Sequence, residues 1–169
     1  MTAPLYAASI PVFKQLLNAL ADNLRKAEAH AAAHGIEPDA LLQARLFPDM
    51  FPLVRQVQLA VDFAKAAAAR LAQVELPRYD DSERTFEELQ ALLVKALAFI
   101  ESVSPEQFVG KEGIDIVLRP GTDHEVRLVG ATYLYHFALP QFFFHVTTAY
   151  DLLRHNGVPI GKRDYIGRF

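Results

Sequence analysis

The feature that most constrains this fold is the stretch Phe137–Gly157, where aromatic and aliphatic side chains are bounded by a proline and a glycine. Proline lacks a backbone N–H and fixes φ, so it suits the first turn of a helix and disrupts later turns. We therefore predict that Pro140 opens a helix, instead of lying within a helix that begins near Gly130. Asn156 and Gly157 supply a C-cap. Apolar side chains recur between these ends at helical spacing, at Phe142, Phe143, Val146, Ala149, Tyr150 and Leu153.

A row of polar residues runs along the same predicted helix. Gln141, His145 and Thr148 follow at intervals of four and three residues, so their side chains point in one direction. Because aromatic residues flank this row, we expect it to face inward. A buried polar group without a hydrogen-bond partner costs ~1–3 kcal/mol, so another part of the chain must supply partners.

The candidate partners lie on a second long helix, predicted from about Pro52 to Gln73. Along it, one row of polar residues consists of Gln58, Asp62 and Lys65. Arg55 and Gln56 lie beside this row. Two interpretations stay open. The row is either ordinary solvated surface, or Gln58 and Asp62 turn inward toward the last helix. In the second case Asp62 beside His145 would fix the tautomer of the imidazole and raise its basicity.

Two further long helices and one short helix are predicted. The first long helix begins at Ser9 and ends at Gly35, and its apolar residues follow the three- and four-residue steps of a bundle seam. A capping box of Thr85 and Glu88 opens the third long helix. The segment Pro38–Leu46 predicts a short helix between the first two.

The spacing of apolar residues changes after the third predicted helix, which indicates β-structure. The segments Ile114–Leu118 and Glu125–Leu128 predict two strands around a Pro-Gly turn, with His124 facing solvent. A lone hairpin is marginally stable, so it must lie against the helices. The tail Val158–Phe169 is too apolar to be free, and we expect it to pack along the helices or across a partner subunit.

Composition excludes several classes of protein. The 169 residues carry a net charge of -3, so no basic face calls for nucleic acid or an anionic membrane. The absence of cysteine excludes disulfides, thiolate metal sites and cysteine nucleophiles. Since no signal peptide or membrane span is recognisable, we expect one soluble, cytoplasmic domain covering residues 1–169. The serine-hydrolase elbow, the dinucleotide fingerprint and the H-E-x-x-H zinc motif do not occur either.

A pair of histidines lies at the end of the first predicted helix. His30 and His34 are four residues apart, a spacing that can chelate a divalent metal if a third ligand converges. The simpler interpretation is that both imidazoles complement the helix dipole in solvent. Neighbouring Lys26 and Glu28 favour the simpler interpretation.

Together, several motifs resemble a known superfamily. The most specific are Phe47–Leu53, Gln56–Gln58 with Asp62, Thr85–Leu89 and Leu139–Gly157. With them, nearly the whole chain resembles an uncharacterised bacterial and fungal family within the DinB-like, or YfiT-like, superfamily of proposed metalloenzymes. The resemblance implies an all-α fold, a DinB-like four-helix bundle with a short β-hairpin inserted before the last helix. It also implies a homodimer.

The resemblance further implies a metal site from which this chain departs. Metal-binding members combine one histidine of the second helix with a His-x-x-x-His pair on the last helix. Here the pair reads Gln141 and His145, and the second helix has no histidine. Because Zn²⁺ and Ni²⁺ favour imidazole, we expect no cofactor, with a divalent metal held by His145 as the alternative.

We expect a polar pocket around His145 whose molecular function is unknown. In it, Gln58, Gln141 and Thr148 are candidate ligand-binding residues for a small molecule. The alternative is a metal- or thiol-dependent transferase or hydrolase of the DinB-like type, in which His145 and Asp62 are the candidate catalytic residues. A third hypothesis is an interaction module without chemistry.

Overall fold

The computed structural model describes residues 3–169, a mostly helical chain with one small two-stranded hairpin, as predicted. Its elements are, in order, α1 (Pro4–Ala7), α2 (Ile10–His34), α3 (Pro38–Leu42), α4 (Leu53–Ala72), α5 (Phe86–Ser102), a 3-10 turn (Pro105–Phe108), β1 (Asp115–Leu118), β2 (Val126–Val129), α6 (Gly130–Thr132), a π-helical segment (Tyr133–Ala138), α7 (Leu139–His155) and α8 (Lys162–Ile166). Within this described part, no helix is both long and apolar enough to cross a membrane.

Four long helices surround the apolar core. α4 lies along α7 and also packs against α5, while α2 contacts both α5 and α7. Phe13 of α2 and Phe142 of α7 meet edge to face in the core, with ring centroids 4.8 Å apart. Fully burying a side chain of this size stabilises the fold by roughly 2 kcal/mol. The interface of α4 with α7 is the most extensive, and it contains the candidate site.

The last long helix begins before Pro140, so the prediction that this proline opens a helix is wrong. α6, the π-helical segment and α7 follow without interruption from Gly130 to His155, and Ala138 and Leu139 have helical backbone angles. In an α-helix, the proline ring would clash with the preceding turn and its missing N–H would leave a carbonyl unpaired. The wider π turn directly before Pro140 gives the ring space.

The predicted helix ends are mostly confirmed. α2 ends at Gly35, with φ of 63°, and α7 ends before Gly157, with φ of 90°, a backbone region that favours glycine. Thr85 and Glu88 form the predicted capping box at the start of α5. Ser9 precedes α2, but its hydroxyl donates to the Leu5 carbonyl oxygen at 2.5 Å instead of capping that helix.

The short helix α3 stops earlier than predicted. It ends at Leu42 rather than at Leu46. The carbonyl oxygen of Ala44 accepts a hydrogen bond from the N–H of Leu53 at 3.0 Å, which ties the connecting loop to the first residue of α4. This contact positions the turn before α4, from which one backbone group reaches the candidate site.

The predicted hairpin is present; β1 begins one residue later than predicted and ends at the predicted Leu118, and β2 is shifted by one residue. β1 and β2 pair antiparallel, with Asp115 opposite Val129, and Ile116 and Leu118 are buried against the helices. Gly130 joins the hairpin to the last long helix. A Cβ atom there would lie 2.0 Å from the carbonyl oxygen of Lys111, so this close approach requires glycine.

The C-terminal segment packs back on the helices, as one of the two alternatives predicted. α8 lies against α2, where the Gln15 Nε2 donates to the Ile166 carbonyl oxygen at 2.9 Å. Tyr165 meets Tyr150 of α7 edge to face, with ring centroids 5.8 Å apart. The tail therefore covers part of α2 and of α7.

Candidate functional site

A hydrogen bond between α4 and α7 forms the centre of the candidate site. The imidazole Nδ1 of His145 lies 2.7 Å from the amide oxygen Oε1 of Gln56. The same amide is fixed at its other end, because its Nε2 donates to the Phe51 carbonyl oxygen at 3.2 Å. An amide oxygen only accepts hydrogen bonds, so Nδ1 carries the proton of the neutral ring. The second ring nitrogen, Nε2, therefore carries a lone pair.

Aromatic rings hold the imidazole of His145 on two sides. Phe63 of α4 stacks on it, with ring centroids 5.5 Å apart and the planes 11° from parallel. Phe144 meets it edge to face at 5.2 Å. The residue is only 6% exposed to solvent. Packing and the hydrogen bond together fix the orientation of the ring.

This environment keeps His145 neutral. Burial, with a smaller contribution from the positive charge of Arg55, lowers the pKa of His145 from 6.5 to about 4. Within residues 3–169, the one completely enclosed side-chain polar atom without a partner is Oδ1 of Asn23. Nε2 of His145 forms no hydrogen bond with a described residue, so it must retain contact with solvent. The site thus presents a neutral acceptor among aromatic rings.

Asp62 does not form the predicted pair with His145. Its carboxylate lies 2.7 Å from the ammonium of Lys65, one helical turn further along α4. Lys65 is 5% exposed, and its Nζ lies 4.0 Å from the ring centroid of Tyr79 in the loop after α4. The prediction that Asp62 orients the imidazole is corrected: Gln56 does so.

Gln58 also turns away from His145, toward the loop between α4 and α5. Its Nε2 donates to the Glu83 carboxylate at 2.9 Å, and its Oε1 accepts from Arg55 at 3.3 Å. Arg55 in turn pairs with Asp81 at 2.6 Å. The predicted polar row of α4 therefore fastens this loop, and the inward interpretation is wrong for Gln58.

Gln141 and Thr148, the other members of the polar row on α7, lie on either side of His145 along the helix. Thr148 is buried with His145, while Gln141 is half-buried. Gln141 lines an open cavity of about 240 Å³, together with Phe137 and Phe144. Phe144 also meets the imidazole of His145, so the cavity and the histidine share this ring, although His145 itself does not line the cavity.

Sequence reasoning missed Gln56 and Phe63, although their spacing carried a signal. A helix turns by about 100° per residue, so residues seven apart lie on the same face. Gln56 and Phe63 are seven apart and both contact His145, whereas Asp62 is displaced by about 120° from Gln56. The row containing Asp62 was therefore on the wrong side of α4.

The residues around His145 do not fit the metal site that the resemblance implies. α4 contains no histidine, position 141 is an amide, and Gln56 Oε1 is already bonded to the imidazole. In the described part of the chain, no three His, Asp or Glu side chains lie close enough together to hold a metal ion. The donor set supports no resident metal at His145.

The histidine pair at the end of α2 has no converging third ligand among residues 3–169. The rings of His30 and His34 lie 4.2 Å apart, and Nδ1 of His34 is 2.8 Å from the carbonyl oxygen of His30. That contact places His34 against the last carbonyl groups of the helix, where a histidine complements the dipole. His124 is exposed in the hairpin turn, as predicted.

Comparison with known proteins places this arrangement in a class. The crystal structure of a DinB family member from Shewanella denitrificans is similar to this chain, with a TM-score of 0.91 and 40% identity. The match covers 98% of this chain and 93% of that chain. The fold is therefore DinB-like.

The family itself is identified by sequence. The family model described as "Domain of unknown function (DUF1993)" matches residues 5–166, and the chain belongs to this family. A comparison with curated proteins finds no match. The resemblance to an uncharacterised DinB-like family is confirmed.

Proposed function

We propose that the protein binds a small neutral molecule at His145, with the imidazole Nε2 accepting a hydrogen bond from the ligand. The observation that carries this proposal is the hydrogen bond from Nδ1 to Gln56, which leaves the Nε2 lone pair of a buried, neutral ring without a partner among the described residues. We also propose that α2, α4, α5 and α7 form a DinB-like four-helix bundle, since each contacts at least two of the others.

The surroundings define the class of ligand. Phe144 and Phe137 give the neighbouring cavity aromatic walls, and Gln141 offers an amide that both donates and accepts. A volume of about 240 Å³ lies below the range of drug-sized pockets, which begins near about 300 Å³. A small aromatic molecule with an N–H or O–H donor, such as a primary amide, meets these conditions.

The enzymatic alternative is less well supported, because the imidazole is a weak base. An imidazole of pKa about 4 that takes a proton from a thiol of pKa ~8.5 works against ~4.5 units, or ~6 kcal/mol. This cost disfavours a thiol-dependent transferase or hydrolase that uses His145 as a general base. Accepting a hydrogen bond requires no such transfer.

The test is a titration with benzamide, followed by NMR of the side-chain nitrogens of ¹⁵N-labelled histidine. We expect the Nε2 signal of His145 to shift, while the signal of exposed His155 on the same helix stays unchanged. Replacing His145 by Phe keeps an aromatic ring and removes the acceptor, so the affinity for benzamide should fall about tenfold.

The matched control is His155→Phe, which makes the same change at an exposed position of α7. It should bind benzamide as the native protein does. The variant Gln141→Ala changes the mouth of the cavity without touching the buried core, and it should also weaken binding. Equal affinities in all variants, or an unchanged Nε2 signal, would contradict the proposal.

A further inference from the structure

A second cleft lies between the hairpin and the helices. It has a volume of about 240 Å³, with Phe63 and Phe137 among its walls and Leu118 of β1 among its apolar contacts. Its polar groups are the side chains of Arg70, Arg119 and His124. Phe63 also stacks on His145, so the cleft is a neighbour of the first site, but His145 does not line it.

The cleft is positively charged in a chain of net charge -3. No carboxylate lines it, and among residues 3–169 neither Arg70 nor Arg119 has a carboxylate within 4 Å. Of the two acidic residues in the adjacent turn, Glu125 is engaged by Arg127 and by a backbone N–H, and Asp123 is exposed. Two guanidinium groups are thus left without a counter-ion from the described chain.

The side chain of Arg70 is held in place by Tyr133. Its Nη1 donates to the hydroxyl of Tyr133 at 3.0 Å, and its guanidinium lies 5.7 Å from the centroid of the same ring. Tyr133 is fully buried and begins the π-helical segment. Because this bond uses one of the five N–H donors of arginine, the others remain for a ligand. The π-helical segment thereby supplies the tyrosine that orients the guanidinium of Arg70 in the cleft.

Arg119 is held by the hairpin turn. Its φ of 50° is unusual for a residue with a side chain, so the turn must maintain it. The N–H and the hydroxyl of Thr122 both donate to the Arg119 carbonyl oxygen, at 3.3 and 2.9 Å. The N–H of Gly121 donates to the Glu125 carboxylate at 2.8 Å. These bonds fix the backbone that carries the second guanidinium, while the exposed side chain of Arg119 itself makes no hydrogen bond with a described residue.

The apolar walls narrow the class of anion. Phe63 and Phe137 lie edge to face at 6.0 Å, and Leu118 is buried beside them. Such walls recognise a flat apolar body by packing rather than by hydrogen bonds. Guanidinium groups bind carboxylate and phosphate alike, so the walls, and not the charge, favour an organic acid over a bare inorganic anion.

We propose that this cleft binds a small carboxylic acid anion with a flat apolar body. The carboxylate contacts the guanidinium groups of Arg70 and Arg119, and the body lies against Phe63 and Phe137. The proposal differs from the one for His145 in the ligand, because it requires a charged ligand where that site requires a neutral donor, although Phe137 lines both cavities. Benzoate and benzamide have nearly the same shape but differ in charge, so titrations with the two compounds distinguish the two proposed sites.

The test is a calorimetric titration with benzoate, with benzamide and inorganic phosphate as comparison ligands. In Arg119→Gln the affinity for benzoate should fall about tenfold, as expected for the loss of one charge-assisted hydrogen bond. The same substitution should leave benzamide binding unchanged. Phosphate should bind more weakly than benzoate by about tenfold, because it lacks the apolar body.

The matched control is Arg154→Gln, which removes the same charge at an exposed position of α7 outside the cleft. It should change the affinity for benzoate by less than about twofold. Phe137→Leu changes an apolar wall of the cleft without altering its charge. It should weaken the binding of benzoate but not that of phosphate. Equal losses in Arg119→Gln and Arg154→Gln, phosphate binding as tight as benzoate, or no heat with benzoate at about 10 mM would overturn the proposal.

Discussion

Two sides of α4 carry polar residues, and they are built in opposite ways. Toward α7, Gln56 makes one uncharged hydrogen bond to His145 among aromatic rings. Toward the loop between α4 and α5, Asp62 and Lys65 pair with each other, and Arg55 pairs with a loop carboxylate. The comparison teaches that the polar residue in the interface with α7 is an uncharged one, whereas the ion pairs of α4 lie on the loop side, together with the uncharged Gln58.

The physical reason is desolvation. Removing a charge from water costs several kcal/mol per ion, whereas an amide and a neutral imidazole that bond each other lose little. Arg55 of α4 accordingly lies where the loop carboxylate of Asp81 can pair with it near solvent, and the buried Lys65 is paired with Asp62 of its own helix. Gln56 has no charge to neutralise, and it can lie in the larger interface.

The largest change in the free energy of unfolding should come from protonating His145, which lies on the uncharged side of α4. The folded-state pKa of His145 is about 4, below its ordinary value of 6.5, so the unfolded chain binds more protons between these values. The stability due to neutral His145 is thus fully present above pH 6.5 and is lost as pH falls toward 4. At 1.36 kcal/mol per unit, the loss is roughly 3 kcal/mol, measurable by urea denaturation across this range.

The variant His145→Gln separates this contribution from other acid effects. It should flatten the pH dependence of the free energy of unfolding between pH 6.5 and 4, relative to the native protein. His155→Gln makes the same change at an exposed position and should leave the dependence intact. If both variants keep the native slope, the imidazole is not held neutral by the fold.

A smaller change in stability is expected from removing the partner of Lys65, the buried charge on the loop side of α4. Asp62→Asn leaves the Lys65 ammonium, 5% exposed, without its carboxylate. We expect a loss of about 2 kcal/mol in the free energy of unfolding, below the 3–5 typical of fully buried pairs because Asp62 is about one-third exposed. Denaturation at pH 7 measures it.

An equivalent pair at the surface supplies the control for this change. Asp22 and Arg25 of α2 have the same spacing and a similar distance of 2.8 Å, but both are more than half exposed. Asp22→Asn should change stability by less than about 0.5 kcal/mol. Equal costs for the two substitutions would mean that burial of Lys65 contributes nothing to the pair.

The sequence predicted the long helices, the hairpin and the inward position of His145, because these follow from local periodicity. It did not predict that Gln56 binds His145, since periodicity shows which residues share a face but not which face meets a given neighbour. The error at Pro140 has another origin. The π-helical segment before Pro140 begins at Tyr133, which contacts Arg70 of α4, and no local rule for proline contains such a long-range contact.

The same limit applies to the second cleft. Arg70 and Arg119 are 49 positions apart, on a helix and in a turn, and neither belongs to a recognisable motif. Only the docking of the hairpin against the helices brings them together. The spacing of residues along one helix indicates the polar row with His145, whereas no spacing relates two residues on different elements.

The smallest effect should come from the half-buried ion pair of the loop. Asp81→Asn removes the carboxylate that lies 2.6 Å from Arg55, and both side chains are between a quarter and a third exposed. The free energy of unfolding should fall by about 1 kcal/mol or less in low salt, and the difference should shrink in about 1 M NaCl, where screening acts within ~3 Å. Gln56→Leu, which breaks the neutral bond to His145, should cost about the same at both salt concentrations because no charge is involved. If the two variants respond alike to salt, the distinction between the two sides of α4 is one of position and not of charge.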